Sequence, residues 1–357
     1  MIDTSTSSSA SELDRVYPPK MLLLLRLGAA LGLVIFLALP PLLLVQPRLG
    51  LQILWFASIP VAPMFLLAAP NAWVSLCPVS TLQSLPRRLG WKRGIHLRPA
   101  TSRRLQLLGW VLMLTGIPSR HLVFNTDGPG VMAAASLVTL IALGIGLACA
   151  SLSGWCAGAC PIRPVEVIYG QFARDRNRPE KCTTCDGCVA HCVRIHPDRG
   201  ARELGASDWI TNFVYGVPGF VAAYFALDLL GLCTSEQAFF RADVAPPPDR
   251  IVHALTVYGL MAAGFVFSWT LFGILGRLGI SRTARFELAA ITAYCCYYLG
   301  VVPEIVIVWN LPPVAGWFLM IPPLAVLMFV LFWPRRGPEP VLTEAVAEAA
   351  TLSEPSH

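Results

Sequence analysis

Eight apolar segments, each long enough to cross a lipid bilayer, constrain the fold of this chain more than any other feature. A helix needs about 20 apolar residues to span the hydrocarbon core, at about 1.5 Å of rise per residue. Only 13% of the residues are charged, against about 25% in soluble domains, which excludes an ordinary soluble enzyme and a disordered protein. We therefore expect an all-α polytopic membrane protein with about eight transmembrane helices. The segments are residues 21–45, 51–69, 105–124, 131–152, 209–230, 251–276, 288–309 and 315–333.

The order of these segments predicts two membrane halves of four helices each, joined by a large polar loop. Both ends of the chain are rich in small polar residues, alanine, glutamate or proline, and such compositions favour disorder. The expected division is a disordered tail at 1–20, a first half at 21–152 with a cytoplasmic Cys-Pro loop at 70–104, an iron–sulfur loop at 153–208, a second half at 209–333, and a disordered tail at 334–357.

Lysine and arginine residues are distributed unevenly over the loops, and this distribution predicts the orientation of the chain. With the N-terminus on the cytoplasmic side, the inner loops and tails carry 22 of the 27 basic residues, and the outer loops carry four. Inner loops of membrane proteins show such an excess, so both termini are expected to be cytoplasmic. The net charge of +6 therefore reflects topology and contact with anionic lipid, and it requires no nucleic-acid partner.

The strongest chemical motif is a cysteine run in the predicted loop at 153–208, with the spacing C-x2-C-x2-C-x3-C. Ferredoxins use this spacing to hold a [4Fe–4S] cluster with thiolates. Zinc sites more often use two separated pairs of cysteines, and disulfides are rare in the reducing cytosol. The run therefore predicts one [4Fe–4S] cluster, with zinc as the less favoured alternative. Its ligands would be Cys182, Cys185, Cys188 and Cys192.

Two further cysteine elements lie on the same predicted face of the membrane. One is a W-C-x3-C-P element at 155–161, and the other is a C-P-x3-L-Q element at 77–83. Their cysteines, Cys77, Cys156 and Cys160, are candidate ligands of a second metal site, because soft thiolates select iron, copper or zinc. A redox dithiol and ordinary half-buried thiols remain open alternatives. Three other cysteines are expected to have packing roles, namely Cys233, Cys295 and Cys296.

These motifs together resemble the NapH/NosR/CcoG group of polytopic membrane ferredoxin-type proteins, over residues 70–210. The resemblance rests on the two Cys-Pro elements and on a ferredoxin run that lies between membrane segments. It implies a bacterial inner-membrane protein that transfers electrons, often linked to quinol or to metallocofactor maturation. It also implies a partner redox subunit or a cytosolic electron carrier.

The chain departs from that group in its supply of cysteine ligands. Members of the group carry two ferredoxin runs, whereas this chain has one, and Val193 follows it where a proline is expected. Two cubes require eight thiolates, and the two inner loops supply seven, with Cys149 as a possible eighth. In two-cluster ferredoxins the fourth cysteine of a run ligates the other cluster, so Cys160 could replace Cys192 as the fourth ligand. One cluster is therefore expected, and a second remains open.

Four ionisable residues lie near the predicted outer face. His121 ends the third segment and His253 begins the sixth, while Glu304 and Asp228 lie near the outer ends of the seventh and the fifth. Ionisable groups within membrane segments are functional candidates by default. They could accept a proton from a quinol, and the two histidines could ligate a haem, which is the less favoured cofactor. Contact with headgroups or water is the open alternative.

The thickness of the bilayer limits the use of an outer quinone site. The hydrocarbon core is about 30 Å thick, which is too far for a single electron transfer to an inner cluster. Since the sequence shows no carrier ligands between the two faces, a quinone is expected to exchange electrons near the inner face, beside the loop that contains Cys77.

The sequence as a whole predicts a membrane-bound [4Fe–4S] electron-transfer protein that relays electrons between a quinone or a cytosolic donor and a partner redox subunit. It contains no Walker, Rossmann or hydrolase signature, so activity as a quinol dehydrogenase would belong to an oxidoreductase complex. Two other functions remain open. One is a metal reductase or metallocofactor maturation factor, and the other is a transporter or scaffold with a structural cluster.

Overall fold

The described part of the molecule is almost entirely helical. The structure is a computed structural model, and it describes residues 18–91, 94–95, 99–149, 154–170, 172, 208–229 and 250–332. No β-strand occurs within these ranges, and the one extended pairing there is an isolated bridge between Ile95 and Cys149. This confirms the all-α class that the apolar segments predict.

Long helices alternate with short helical pieces along the chain. The first half contains α1 (Pro19–Val45), α2 (Pro47–Gln52), α3 (Val61–Ala68), α4 (Pro70–Leu76), α5 (Pro78–Arg88), α6 (Pro99–Ser119) and α7 (Gly128–Ala148). The remainder contains α8 (Arg163–Gly170), α9 (Asp208–Leu229), α10 (Arg250–Arg277), α11 (Arg282–Val308) and α12 (Ala315–Phe332). Wider helical turns occur at π1 (Ile53–Ser58), π2 (Arg120–Phe124) and π3 (Trp155–Ala159).

Seven helical stretches among the described residues are long and apolar enough to cross a membrane. Each overlaps one predicted segment, so the structure agrees with a polytopic protein in a lipid bilayer. The predicted fifth segment is helical as α9. The fully described part of this helix, Phe213–Leu227, is apolar but too short by itself to count as a span, so the number of eight spans is not confirmed. The seven stretches are Pro19–Val45, Pro47–Ala68, Arg104–Phe124, Gly128–Ala148, Ile251–Arg277, Arg282–Val308 and Ala315–Phe332.

Proline determines where several of these helices begin. The helices α1, α2, α4 and α7 have proline at their first or second position, and α5 and α6 begin with Pro78 and Pro99. Proline suits this position because its φ is already helical and its missing N–H would have no partner there. Residues 70–88, which the sequence analysis treats as part of a loop, therefore form the two short helices α4 and α5.

Both cysteine elements fold into the helix bundle instead of lying in open loops. Trp155, the first residue of the second element, is 3% exposed, and Phe172, which follows that element, is 0% exposed. Gln83 of α5 is 2% exposed. Irregular backbone at membrane depth requires protein around it, because lipid cannot satisfy its polar groups. The predicted loops at 70–104 and 153–208 thus each contain a part that packs among the membrane helices.

One main core joins the two predicted halves of the protein. It contains Leu66 and Trp110 from the first half, Phe286 and Leu327 from the second, and Tyr169 from α8. The helix α9 packs along both α10 and α11. By contrast, α1 buries little of its surface in the protein, as expected for a helix whose apolar side chains face lipid.

Candidate functional site

Cys77 lies at the junction of α4 and α5, where α4 packs closely on α1. Gly28 of α1 permits this contact, since a Cβ there would lie 2.6 Å from Leu76 Cδ2. Pro78 starts α5, so Cys77 occupies the position just before the first helical turn. The Thr81 hydroxyl donates to the Cys77 carbonyl over 3.0 Å. The half-buried thiol of Cys77 therefore lies at the start of α5, and Pro78 sets that start.

Cys156 and Cys160 are positioned by π3, a helical turn of the wider type that is often found at functional sites. This turn packs against α6 at Gly109, where a Cβ would lie 2.9 Å from the Cys160 carbonyl oxygen. Cys156 is 4% exposed, and Cys160 is half-buried. The absence of a side chain at Gly109 thus allows the cysteine segment to lie directly on a membrane helix.

Gln83 and Cys156 form the most specific polar contact in this region. The Cys156 Sγ donates a hydrogen bond to Gln83 Oε1 over 2.7 Å. Gly146 of α7 lies directly behind the glutamine, since a Cβ there would be 2.8 Å from the Gln83 carbonyl oxygen. The other amide atom, Gln83 Nε2, is buried and has no hydrogen-bond partner within the described residues. A buried N–H without a partner costs free energy, so this donor requires an explanation.

A buried ion pair begins α8, three residues after Cys160. Arg163 Nη1 lies 2.8 Å from Glu166 Oε2, and the two side chains are 4% and 5% exposed. The Arg163 amide donates to the Cys160 carbonyl over 2.9 Å. A cation in the first turn of a helix opposes the helix dipole, and Glu166 in the same turn offsets this cost. The pair therefore keeps a cation and its counter-charge buried in the first turn of the helix that follows Cys160.

The described cysteines do not form a metal site by themselves. Val74, Val79 and the cysteine segment of π3 share one apolar cluster, which brings the elements of Cys77, Cys156 and Cys160 together. Within the described ranges, however, no three His, Cys, Asp or Glu side chains are arranged to hold a metal ion. The physical reason is that Cys156 is directed towards Gln83. A second metal site at these cysteines therefore stays a prediction that needs a ligand from elsewhere.

The predicted primary ligands lie outside the described residues, and so does Cys233. Cys149, the possible eighth thiolate, is buried beside Gly154. The donor chemistry of the described residues fits a metal–sulfur group at Cys156, because its thiol lies against the buried amide of Gln83, whose Nε2 has no partner among the described residues. The primary ligands in question are Cys182, Cys185, Cys188 and Cys192.

A second polar region, the His121 cluster (Arg120, His121, Asn125, Trp55 and Tyr224), lies at the other end of α6 around π2. His121 is fully buried, its ring centroid is 4.1 Å from that of Tyr224, and its Nε2 lies 3.2 Å from the Tyr224 carbonyl oxygen. Arg120 lies 4.3 Å above the Trp55 ring, and its Nε donates to Asn125 over 3.2 Å. Packing and hydrogen bonds thus fix His121 in one orientation.

The other predicted outer residues are less closely connected. Glu304 is half-buried in α11. His253 is half-buried, and its Nε2 has no partner within the described ranges, whereas the side chain of Asp228 is outside the described part. The carbonyl of Tyr224 can only accept a hydrogen bond, so His121 Nε2 donates to that carbonyl. This nitrogen therefore does not offer a lone pair to a haem iron.

The sequence analysis missed a chain of buried aromatic rings between the two regions. Successive ring centroids are 4.1 to 5.9 Å apart. The hydroxyls of Tyr294 and Tyr298 donate to the carbonyls of Pro323 and Pro60, over 3.0 and 2.6 Å, and a carbonyl does not remove their protons. These tyrosines are therefore packing residues, and their i, i+3, i+4 spacing was the available signal. The rings are Tyr169, Tyr294, Tyr298, Tyr297, Phe225, Tyr224 and His121.

No family model, curated protein or solved structure matches this chain.

Proposed function

We propose that this protein is a membrane-bound [4Fe–4S] electron-transfer protein of the bacterial inner membrane. It passes electrons between a quinone or a cytosolic donor and a partner redox subunit. The observation that carries the proposal is the C-x2-C-x2-C-x3-C run at 182–192, because this spacing lets thiolates converge on one cube.

The helix that precedes the run on its N-terminal side, α8, supports this proposal. The polar stretch that contains the run follows α8, and Ile168 and Tyr169 of that helix are 2% and 5% exposed. The stretch therefore starts from a firmly packed element.

Residues of this chain would bind the cluster, neutralise part of its charge and exclude water from it. The cysteines of the run are the proposed ligands, with Cys160 as the alternative fourth one. Arg163, three residues after Cys160, would offset part of the negative charge, and the apolar cluster around Trp155 would exclude water on the side of Cys156. When bound, a [4Fe–4S] cluster supplies reversible one-electron transfer.

The proposed topology retains eight spans with both termini in the cytoplasm. The helix α9 has 22 residues, which corresponds to about 33 Å of length and is enough to cross the hydrocarbon core if its polar ends reach the headgroups. With the N-terminus in the cytoplasm, both cysteine elements lie on the cytoplasmic side, and we place quinone exchange there, beside Cys77.

Low-temperature EPR of anaerobically purified protein tests the proposed function. We expect a cluster signal that appears on reduction with dithionite. The same signal should also appear on reduction with a quinol analogue or with the cytosolic electron donor. Absence of a reducible signal in protein that contains iron and acid-labile sulfide would contradict electron transfer and favour the structural-cluster alternative.

A further inference from the structure

Gln83 is the most unusual polar residue near the cysteines, because only half of its amide is used. Its side chain is 2% exposed, Oε1 accepts from Cys156 over 2.7 Å, and Nε2 has no partner within the described residues. By comparison, the amide of Gln52 donates to the Val308 carbonyl over 3.3 Å. A buried amide whose donor is unused is costly, unless a second state of the protein uses it.

The neighbours of Gln83 leave the amide little freedom except rotation about its own terminal bond. Gly146 touches the backbone and Cγ of the glutamine from behind, since a Cβ at Gly146 would lie 2.9 Å from Cγ. Cys156 lies in front, on π3. Rotation by half a turn exchanges Oε1 and Nε2 with almost no change in shape, because the two amide atoms are similar in size.

The sulfur of Cys156 has two states that match the two orientations. A neutral thiol donates a weak hydrogen bond and suits Oε1, which is the arrangement in the structure. A metal-bound thiolate has no proton, carries negative charge and accepts hydrogen bonds, so it suits Nε2. The unused donor is thus explained by the state in which the sulfur is a ligand.

We infer that Gln83 is a positioning residue for Cys156, which holds the free thiol through Oε1 and stabilises the metal-bound thiolate by donating from Nε2. The inference rests on the predicted second metal site, in which the sulfur of Cys156 is a ligand, and not on the cluster proposed for the 182–192 run. It assigns a role to the glutamine of the C-P-x3-L-Q element, and it explains why this residue faces a cysteine 73 positions away.

Cobalt binding tests this role independently of iron and of electron transfer. The full-length apo-protein is reduced, purified anaerobically and titrated with Co²⁺, and the sulfur-to-cobalt charge-transfer absorption is measured. The part of this absorption that is lost in the Cys156→Ser variant reports cobalt binding at Cys156. The variants are Gln83→Leu, Gln83→Glu and Gln83→His. The control for loss of a hydrogen-bonded side-chain amide is Gln52→Leu, at a half-buried glutamine, and a thermal melt of each variant is the control for folding.

We expect Gln83→Leu to weaken the Cys156-dependent cobalt binding by about tenfold or more, since a hydrogen bond to a charged group has this size. Gln83→Glu, which has the same shape but no donor when ionised, should weaken it as well, while Gln83→His, which keeps a donor, should restore most of it. Gln52→Leu should bind as the wild type does.

Coupling between the two residues separates a role at the sulfur from a general structural effect. In a Cys156→Ser background, Gln83→Leu should cause no further change in cobalt binding. The inference is overturned if the wild type shows no Cys156-dependent cobalt binding, if Gln83→Leu and Gln83→Glu both bind like the wild type, or if the Gln83→Leu effect persists without Cys156. Loss of the iron–sulfur signal in the EPR experiment would instead refute the proposed function.

Discussion

At the scale of single residues, the ion pair of Arg163 and Glu166 is the clearest case of a charge kept inside the bundle. The two side chains are 4% and 5% exposed, and the donor and acceptor are 2.8 Å apart. Removing two charges from water is costly, and only the partner makes the burial tolerable. The pair lies three residues after Cys160, where its positive member can offset the charge of a metal–thiolate group.

Removing one residue of this ion pair should therefore destabilise the protein more than removing both. We expect Glu166→Leu to destabilise the protein by about 3–5 kcal/mol, because it leaves Arg163 buried without its counter-charge. The double variant Arg163→Met, Glu166→Leu should recover most of that stability. Thermal or denaturant unfolding in detergent measures both, and a double variant that is no more stable than Glu166→Leu would contradict this account.

Sequence patterns identified the reactive residue types at this scale but not their contacts. Cys156 and His121 stand out because thiols and imidazoles carry chemistry, and both are buried in the structure. The partners Gln83 and Tyr224 could not be predicted, since each contact depends on how distant segments pack. The tertiary arrangement alone brings these groups within hydrogen-bonding or stacking distance.

At the scale of secondary-structure elements, small residues decide how closely the helices approach one another. Gly219 of α9 and Gly264 of α10 lie against each other, because a Cβ on either would overlap the carbonyl group of the other. Close approach of this kind favours van der Waals packing between helices in lipid. The helix α9 is thereby held closely to α10.

Replacing Gly219 or Gly259 with alanine should change the stability of the protein in different ways. We expect Gly219→Ala to destabilise the protein by about 1–3 kcal/mol, because the new methyl group meets the Gly264 carbonyl. Gly259→Ala, at a position of α10 with open space around it, should be neutral or stabilising by up to about 1 kcal/mol. Unfolding temperatures in detergent test this, and equal effects at both positions would count against the observed helix contact.

Helix type was predictable at this scale, whereas the short elements were not. Long apolar runs fix helices such as α1 and α7, since lipid leaves the backbone no other way to satisfy its hydrogen bonds. The sequence analysis predicts a loop where α4 and α5 lie, because polar residues in these short helices hide the helical pattern that begins at Pro70 and at Pro78. The π3 turn depends on packing against Gly109, which no local pattern reveals.

At the scale of the whole molecule, the two cysteine elements and the His121 cluster occupy opposite parts of α6. Gly109 contacts the Cys160 carbonyl, and His121 follows twelve residues later in the sequence, which is about 18 Å along a helix axis. Of the aromatic rings between them, Tyr294 and Tyr298 are fixed by hydrogen bonds from their hydroxyls to carbonyls. The two regions are therefore best treated as separate, with sulfur chemistry at the first.

The crossing of α9 determines the sidedness of the second half. Reporter fusions after Gly90, Gly279 and Asn310 distinguish eight spans from seven. With eight spans, a fluorescent protein should be active after Gly90 and Gly279, and alkaline phosphatase after Asn310, because loops rich in Lys and Arg stay in the cytoplasm. Phosphatase activity after Gly279 but not after Asn310 would show that α9 does not cross.

Composition and hydropathy predicted most of the architecture at this scale, since seven apolar segments became helices of spanning length. The inward folding of residues 154–172 was not predictable, because this segment contains the polar residues Arg163 and Glu166, which become acceptable inside the bundle only as a pair.

Iron and acid-labile sulfide content tests the central claim most directly. The wild type, Cys185→Ser and the control Cys296→Ser, which changes a half-buried thiol of α11, are purified anaerobically and compared. We predict about four iron and four sulfide per chain in the wild type and in the control, or about eight if a second cube is present. We predict loss of one full cube in Cys185→Ser, and full retention of iron and sulfide in that variant would contradict the account.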